Sequence, residues 1–359
     1  MAVYHKEVLK QTIILGIYFM LTYTTFLSFS CIITYIAEHE YSYGPLVALS
    51  ANYFTYLITL IFCTRIKDFK FQFQVSALCH LVNYVVYIPD YKGDLGLLMG
   101  IIGALFGGYG AAIYWVSQGG YLIKLFKKYN IPKDEEGKYF GIANGIVYGS
   151  SLFGALVTTF GLGYFGSTVY FTILSVLTVI SLLVCTFFLD GLKDVDKVDS
   201  LLSEQEVPLK AAKSDSLFKV TKDTFIKTMK YYPKMYYLVI PVILDGIISG
   251  FISVYLNKLI AEDSRTNLNV GYMLMTEGLG CIIGAVASAT ISDKISVIKV
   301  GKVGMILIII TSVLTFTDTL IEPATLYLPM AVSFLWGITI NYITSWESVS
   351  CAKLNEGQL

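Results

Sequence analysis

Apolar residues in this chain occur in long runs that are separated by short polar links. A helix needs roughly 20 residues to cross the hydrocarbon core of a bilayer. Ten runs approach or exceed that length, near residues 11–36, 44–64, 72–89, 95–123, 139–162, 167–189, 235–260, 268–291, 298–319 and 325–346. The third run is the shortest. The pattern predicts an all-α integral membrane protein of about ten transmembrane helices, with the lipid bilayer as its first partner.

A long polar segment divides the predicted helices into six plus four. We expect residues 1–189 to form an N-terminal six-helix bundle, 190–234 a cytoplasmic linker, and 235–359 a C-terminal bundle. The first part of the linker mixes both charges, which is typical of a solvated segment. In its second part, apolar residues recur at helical spacing among lysines. That pattern fits either an amphipathic helix on the membrane surface or an extension of the seventh span.

The positions of the basic residues predict the orientation. Lysine and arginine accumulate in the cytoplasmic links of membrane proteins. If the N-terminus is cytosolic, all but three of the 26 basic residues fall on the cytosolic side, the exceptions being Lys92, Lys258 and Arg265. Acidic residues show no such bias. We therefore expect a multi-pass protein with both ends in the cytosol; which membrane holds it stays open.

Small residues recur every four positions in two neighbouring spans. They are Gly103 and Gly107 in the first span, and Gly141, Gly145 and Gly149 in the second. On a helix this spacing makes a smooth stripe that another backbone can approach closely. The stripes predict that residues 103–154 fold as a tightly packed membrane hairpin. A polar-aromatic cluster lies on its first helix, near the expected cytoplasmic end, and consists of Trp115, Gln118 and Tyr121.

The same hairpin resembles the fourth and fifth helices of the Unc-ninety-three-like family, a branch of the major facilitator superfamily. The matching positions are Gly103, Gly107, Trp115, Gln118, Gly119, Tyr121, Gly137, Tyr139, Phe140, Gly141 and Ile142. The resemblance implies a fold of two parallel repeats. It also identifies Asp293 and Lys294 with the family's inner-loop gating turn, which the CTRIKDFK link echoes in the first half. Members of this family include proteins thought to move small solutes and others that escort or regulate membrane proteins.

The resemblance implies twelve spans, whereas ten are visible before Leu359. Either the sequence is truncated or the protein lacks its last two helices. We favour truncation, because the tenth span would otherwise expose a packing face to lipid.

Composition limits the possible functions. The chain is 55% hydrophobic and 14% charged, with a formal net charge of zero, so bulk attraction to nucleic acid is not supported. Its three histidines, His5, His39 and His80, are too dispersed to predict a metal site. The six cysteines are scattered mostly inside apolar runs, and no phosphate-binding loop or catalytic triad spacing is visible. We predict no enzyme activity, no metal and no cofactor.

Two acidic residues inside predicted spans carry the strongest functional signal. Asp245 and Glu277 both fall near the middle of the bilayer, where a charge costs at least about 2.5 kcal/mol and persists only when it is paired, solvated or protonated. No lysine or arginine lies at a similar depth in any predicted span. We hypothesise that one or both bind a proton or a cationic solute; the alternative is a protonated carboxyl that bridges two helices. Further candidates for substrate or proton binding are Gln118, Trp115, Tyr121 and Asn144.

Two functions remain open at this point. The leading hypothesis is a major facilitator-type transporter that moves a small solute by alternating access, with possible coupling to protons or cations. The alternative is a non-transporting escort or regulatory subunit of another membrane protein or channel. A channel is disfavoured because no filter motif is visible. The sequence does not identify the solute.

Overall fold

A computed structural model of the chain describes residues 2–40, 44–62, 68–89, 91–192, 243, 267–292, 295, 297–320 and 327–355. The regular elements in these ranges are all helices. They are α1 (Ala2–Glu40), α2 (Gly44–Phe62), α3 (Phe69–Val85), α4 (Gly93–Tyr129), α5 (Lys133–Phe188), α6 (Asn267–Ser292), α7 (Val297–Leu320) and α8 (Tyr327–Asn355). All of the seventh predicted span except residue 243, most of the linker, and the turn at Asp293 and Lys294 lie outside the described residues, so the count of ten spans is not confirmed.

Five of the described segments are long and apolar enough to cross a membrane. They are His5–Phe29, Gly93–Tyr129, Glu135–Gly161, Tyr164–Phe188 and Ile298–Thr317. Two of them belong to α5, because the backbone leaves helical geometry at Gly166, where φ is 78° and ψ is 174°. A residue with a side chain rarely adopts a positive φ, which glycine adopts freely. Gly166 therefore separates the fifth and sixth predicted spans, and the structure confirms them as two segments.

The glycine stripe of α4 packs against α2 and α3 rather than against α5. The hairpin predicted for residues 103–154 is therefore wrong as a tight helix pair. An added Cβ at Gly107 would lie 2.8 Å from Nδ2 of Asn52 and 2.9 Å from Nδ2 of Asn83. At Gly108 the same atom would meet the backbone carbonyl oxygen of Asn52. A smooth stripe shows that some backbone comes close, but it does not identify which one.

The first segment of α5 packs along α1, and this pair forms one side of the N-terminal bundle. A second link comes from tyrosines that tie buried helices together through backbone carbonyls. The hydroxyl of Tyr18 donates to the carbonyl oxygen of Phe73 at 2.7 Å, and that of Tyr114 donates to the carbonyl oxygen of Phe19 at 2.7 Å. All four side chains are buried. These bonds fix α1, α3 and α4 relative to one another around an aromatic core.

The described part of the C-terminal region is built on a glycine contact between α6 and α8. An added Cβ at Gly280 would meet the carbonyl oxygen of Phe334, and at Gly284 that of Ile338. From the other side, a Cβ at Gly337 would meet the carbonyl oxygen of Glu277. Glycines on both helices therefore allow backbone-to-backbone packing. Gly280 and Gly284 have the G-x-x-x-G spacing that predicts such a contact.

Candidate functional site

The two regions of the chain meet where α6 packs against the first segment of α5. Gly278 makes this contact possible, because an added Cβ there would lie 2.6 Å from the backbone nitrogen of Leu152 and 2.8 Å from the carbonyl carbon of Ser151. Three residues further along α6, Cys281 packs with Tyr148 of α5. The residue just before this contact is Glu277, so the predicted mid-bilayer acid lies where the two regions join.

Glu277 is a half-buried carboxyl inside an apolar helix. Within the described ranges it makes no hydrogen bond and no ion pair. Tyr23 of α1 and Cys281, one turn along α6, lie within its electrostatic reach. A charge in the middle of a bilayer costs at least about 2.5 kcal/mol, and neighbouring phenol and thiol groups do not neutralise it. Among the described residues no side chain compensates the carboxyl, a role that a proton, a cation or water can fill.

Three aromatic side chains of α1 and α4 pack together in the N-terminal region. Tyr23 and Phe26 of α1 stack, with ring centroids 5.8 Å apart and planes at 14°. Trp115 of α4 stands at 83° to Tyr23, with centroids 5.3 Å apart. All three rings are half-buried. We call Tyr23, Phe26 and Trp115 the aromatic corner.

A pair of amides joins α4 and α5 beside the corner. Nε2 of Gln118 donates to Oδ1 of Asn144 at 3.3 Å, and Gln118 is only 7% exposed. The neighbouring glycines, Gly119 and Gly145, border open space, since a Cβ added at either would meet no heavy atom of the described residues within 4 Å. The amide pair therefore lies at the edge of an open region, in contrast to the closed glycine contacts elsewhere in the structure.

Tyr121, predicted to share this site, lies in the helix core instead. Its side chain is fully buried, and its hydroxyl donates to Oε1 of Gln11 at 3.2 Å. The same oxygen accepts the backbone N–H of Asp190 at 2.9 Å. Tyr121 thereby links α1 and α4 to the residues that follow α5. Its position is that of a structural side chain, away from the open region.

The segment after α5 is held to two other helices by lysines. Nζ of Lys128 lies 2.6 Å from Oδ2 of Asp190, and Nζ of Lys70 donates to the carbonyl oxygen of Leu189 at 2.7 Å. Burial alone would raise the pKa of the Asp190 carboxyl. The hydrogen bonds from Lys128 and from the Leu192 N–H, together with the charges of Lys128 and Lys70, bring that pKa below its ordinary value. This end of the bundle also holds a cleft of about 610 Å³ lined by Asp68, Lys70, Phe71, Gln74, Asp190, Gly191 and Leu192.

The Lys128–Asp190 pair gives a prediction about stability. A carboxyl with a lowered pKa in the folded state stabilises the protein above its unfolded pKa and loses this effect as the pH falls through the folded value. We expect Asp190→Asn to cost about 1 kcal/mol at neutral pH, a low value because both side chains are partly exposed. Thermal unfolding in detergent measures this cost, which should vanish below about pH 4. The exposed Asp94→Asn is the control; an equal loss there, or a cost independent of pH, contradicts the assignment.

The structure locates some predicted site residues and not others. Asp245, Asp293 and Lys294 lie outside the described residues. Glu277 lies beside the contact between α5 and α6, Trp115 packs against Tyr23 of α1, and Gln118 pairs with Asn144. Sequence reasoning missed Tyr23, although Phe19, Tyr23 and Phe26 recur at the spacing of one helix face. That aromatic stripe was the available signal.

Comparison with known proteins now decides the family. A family model described as Major Facilitator Superfamily matches residues 12–354. The chain belongs to the major facilitator superfamily. No curated protein matches it closely enough to indicate a nearer relative. Among solved structures, a D-xylose-proton symporter superposes with a TM-score of 0.59 over 97% of this chain and 86% of that one, at 11% sequence identity. At that identity the likeness concerns the fold.

Membership in the major facilitator superfamily fixes the class of the protein. It is an integral, multi-pass membrane protein, and its family is one of transporters. Transporters of this superfamily consist of two halves with a substrate site near the bilayer midplane, between the halves. Glu277 lies beside such a junction in this chain. The Unc-ninety-three-like branch, as a finer assignment, is not confirmed.

Proposed function

We propose that this major facilitator protein carries a small solute by alternating access, with Glu277 as the residue that binds a proton or a cation during the cycle. One observation carries the proposal. A half-buried carboxyl without a hydrogen bond or ion pair among the described residues lies next to the contact between α5 and α6. Ionisable residues inside membrane helices are costly, and they mark ion and substrate pathways.

The proposal assigns the parts of the chain as follows. Residues 1–189 and 235–359 act as the two moving halves, 190–234 connects them on the cytosolic side, and both ends lie in the cytosol. Asp245 contributes a second acidic group from the seventh span. The Gln118–Asn144 pair borders the path of the solute, and Asp293 with Lys294 forms the inner gating turn. Membership in the Unc-ninety-three-like branch is part of the same proposal, supported by the residues around Trp115 and Gly141.

The test asks whether the open region beside Asn144 connects to both sides of the membrane. Gly145→Cys places a thiol where a side chain meets nothing within 4 Å. The full chain is reconstituted in sealed vesicles of known orientation, and a membrane-impermeant methanethiosulfonate is added on one side or the other. Alternating access predicts labelling above the wild-type background from both sides. Ile309→Cys, on the 61% exposed face of α7, is the control and should react from neither.

Labelling from one side only, or from neither, contradicts the transport proposal. A chain with that result that also co-purifies in a fixed ratio with another membrane protein would instead be an escort or regulatory subunit.

A further inference from the structure

A buried asparagine of α3 faces the glycine stripe of α4. The side chain of Asn83 is fully buried. Its Oδ1 lies 3.0 Å from the position that a Cβ would take at Gly103, and its Nδ2 lies 2.9 Å from the equivalent position at Gly107. The amide therefore spans two glycines that are one helical turn apart. Neither Nδ2 nor Oδ1 has a hydrogen-bond partner among the described residues.

Two further polar side chains belong to the same part of the bundle. Nδ2 of Asn52, a buried residue of α2, lies 2.8 Å from the Cβ position at Gly107, so the amides of Asn52 and Asn83 approach one point beside α4. His80, one turn before Asn83 on α3, is also buried, and the described residues offer its Nδ1 no hydrogen-bond partner. α3 therefore carries buried polar atoms in the region where it packs with α4 and where α4 packs with α2.

Polar atoms of this kind need a partner. The hydrocarbon core of a bilayer supplies none, and buried polar groups in native proteins are almost always bonded to protein or to ordered water. The N–H groups of α4 beside the stripe are engaged inside the helix, so they do not satisfy the oxygen of Asn83. A carboxamide has two N–H donors and an acceptor oxygen. Its partner must accept and donate, and it must be small because both glycine positions are closely packed.

We propose that the amide of Asn83 is the centre of an internal water site between α2, α3 and α4. A water molecule accepts from Nδ2 or donates to Oδ1, and a buried water makes about three hydrogen bonds of this kind. The amide of Asn52 supplies a second partner, and Nδ1 of His80, one turn away, is another group that water can satisfy. The stripe of Gly103 and Gly107 is then one wall of a hydrated site as well as a packing surface.

Hydroxyl-radical labelling tests the site, because radicals that X-rays generate from a bound water oxidise the side chains next to it. The full chain is irradiated in detergent, and mass spectrometry measures the oxidation of each residue. The reporter is Tyr84, which stacks on His80 with ring centroids 6.2 Å apart. Its reference is Tyr18, another fully buried tyrosine, whose hydroxyl donates to a backbone carbonyl. We expect Tyr84 to be labelled at least about threefold faster than Tyr18.

Asn83→Leu removes the amide and keeps the branching of the side chain. It should lower the labelling rate of Tyr84 by about threefold, to near that of Tyr18, because the water loses its central partner. Ser76→Ala is the matched control, since Ser76 is also buried on α3 but its hydroxyl donates to the carbonyl oxygen of Gly110 at 2.8 Å. This control should leave the ratio of the two tyrosines unchanged.

Thermal unfolding shows whether each variant is folded. If Asn83→Leu does not fold, Asn52→Leu takes its place and should lower the labelling of Tyr84 by about twofold, because one partner of the water remains. Equal labelling of Tyr84 and Tyr18 in the wild type overturns the inference, and that result is expected if the two amides pair directly. Excess labelling that survives the loss of the amide, or that Ser76→Ala removes equally, also overturns it. None of these results depends on the transport proposal.

Discussion

Glu277→Gln is expected to abolish the pH dependence of the conformational cycle while leaving the protein at least as stable as the wild type. Glutamine has nearly the same shape as glutamate but takes up no proton in this range. The thiolate is the form of cysteine that reacts, so each labelling rate is divided by the rate of a free thiol at the same pH. Between about pH 5 and pH 8 this normalised rate for Gly145→Cys should change several-fold in the parent and stay flat in the double variant, because a proton-linked cycle needs a group that titrates. Labelling rates at each pH, measured from both sides, give the result.

The expected effect of Glu277→Gln on stability has a separate physical cause. A charged carboxylate near the bilayer centre costs at least about 2.5 kcal/mol, and a neutral amide removes that cost. If Glu277 bridged helices as a protonated hydrogen-bond donor, the amide of glutamine could keep that bond, and Glu277→Leu would lower the unfolding temperature instead. The control is Gln118→Leu, which removes a neutral amide and leaves Glu277 in place. Gln118→Glu is unsuitable because it adds a charge. A pH dependence that survives Glu277→Gln would assign the titrating group elsewhere.

Gly280→Ala should destabilise the protein strongly although it adds a single methyl group. The carbonyl oxygen of Phe334 occupies the place of that methyl, so α6 and α8 must separate along their whole contact. Forcing extra volume into a packed interface costs about 1–3 kcal/mol, and the rigid backbone on the other side places this case near the upper end. For a chain of this size, thermal unfolding in detergent should show a decrease of roughly 5 °C.

The matched control for this prediction is Gly119→Ala. A Cβ at Gly119 meets nothing within 4 Å, and alanine is the better helix former by about 1 kcal/mol. The variant should therefore be neutral or slightly more stable. Equal effects of the two substitutions would show that helix propensity, and not the close approach of α6 and α8, decides the outcome. Gly337→Ala, on the opposite face of the same contact, should resemble Gly280→Ala.

The local sequence pattern predicted where the helices lie better than it predicted which helices pack together. Apolar runs located the described spans, with helix ends that differ from the predicted ones by up to nine residues, and Gly166 separates the fifth and sixth spans close to the predicted link. The spacing of Gly103 and Gly107 correctly indicated a close approach. It could not show that Asn52 and Asn83 come from α2 and α3, because the identity of a packing partner is set by the fold and not by one helix face.

The site shows the same division between local and long-range information. Glu277 was recognisable because a carboxyl inside an apolar run is costly wherever it lies. Tyr23 lies 254 positions earlier in the chain, and nothing in its own surroundings indicates a partner on α6. Tyr121 lies three residues from Gln118 and was assigned to the same polar cluster, whereas its hydroxyl donates to Gln11 in the core; its part in binding stays a prediction.

The position of Gly278 has a mechanical consequence. If the two halves rotate about the place where α6 touches α5, displacement grows with distance from that pivot. A turn of about 10° would move a carboxyl 5 Å from the pivot by about 1 Å, and a helix end 20 Å away by about 3.5 Å. Glu277, one residue from Gly278, therefore sits on the shortest lever arm of α6. A solute bound at Glu277 would therefore move very little while the openings of the passage on the two sides of the membrane widen and narrow.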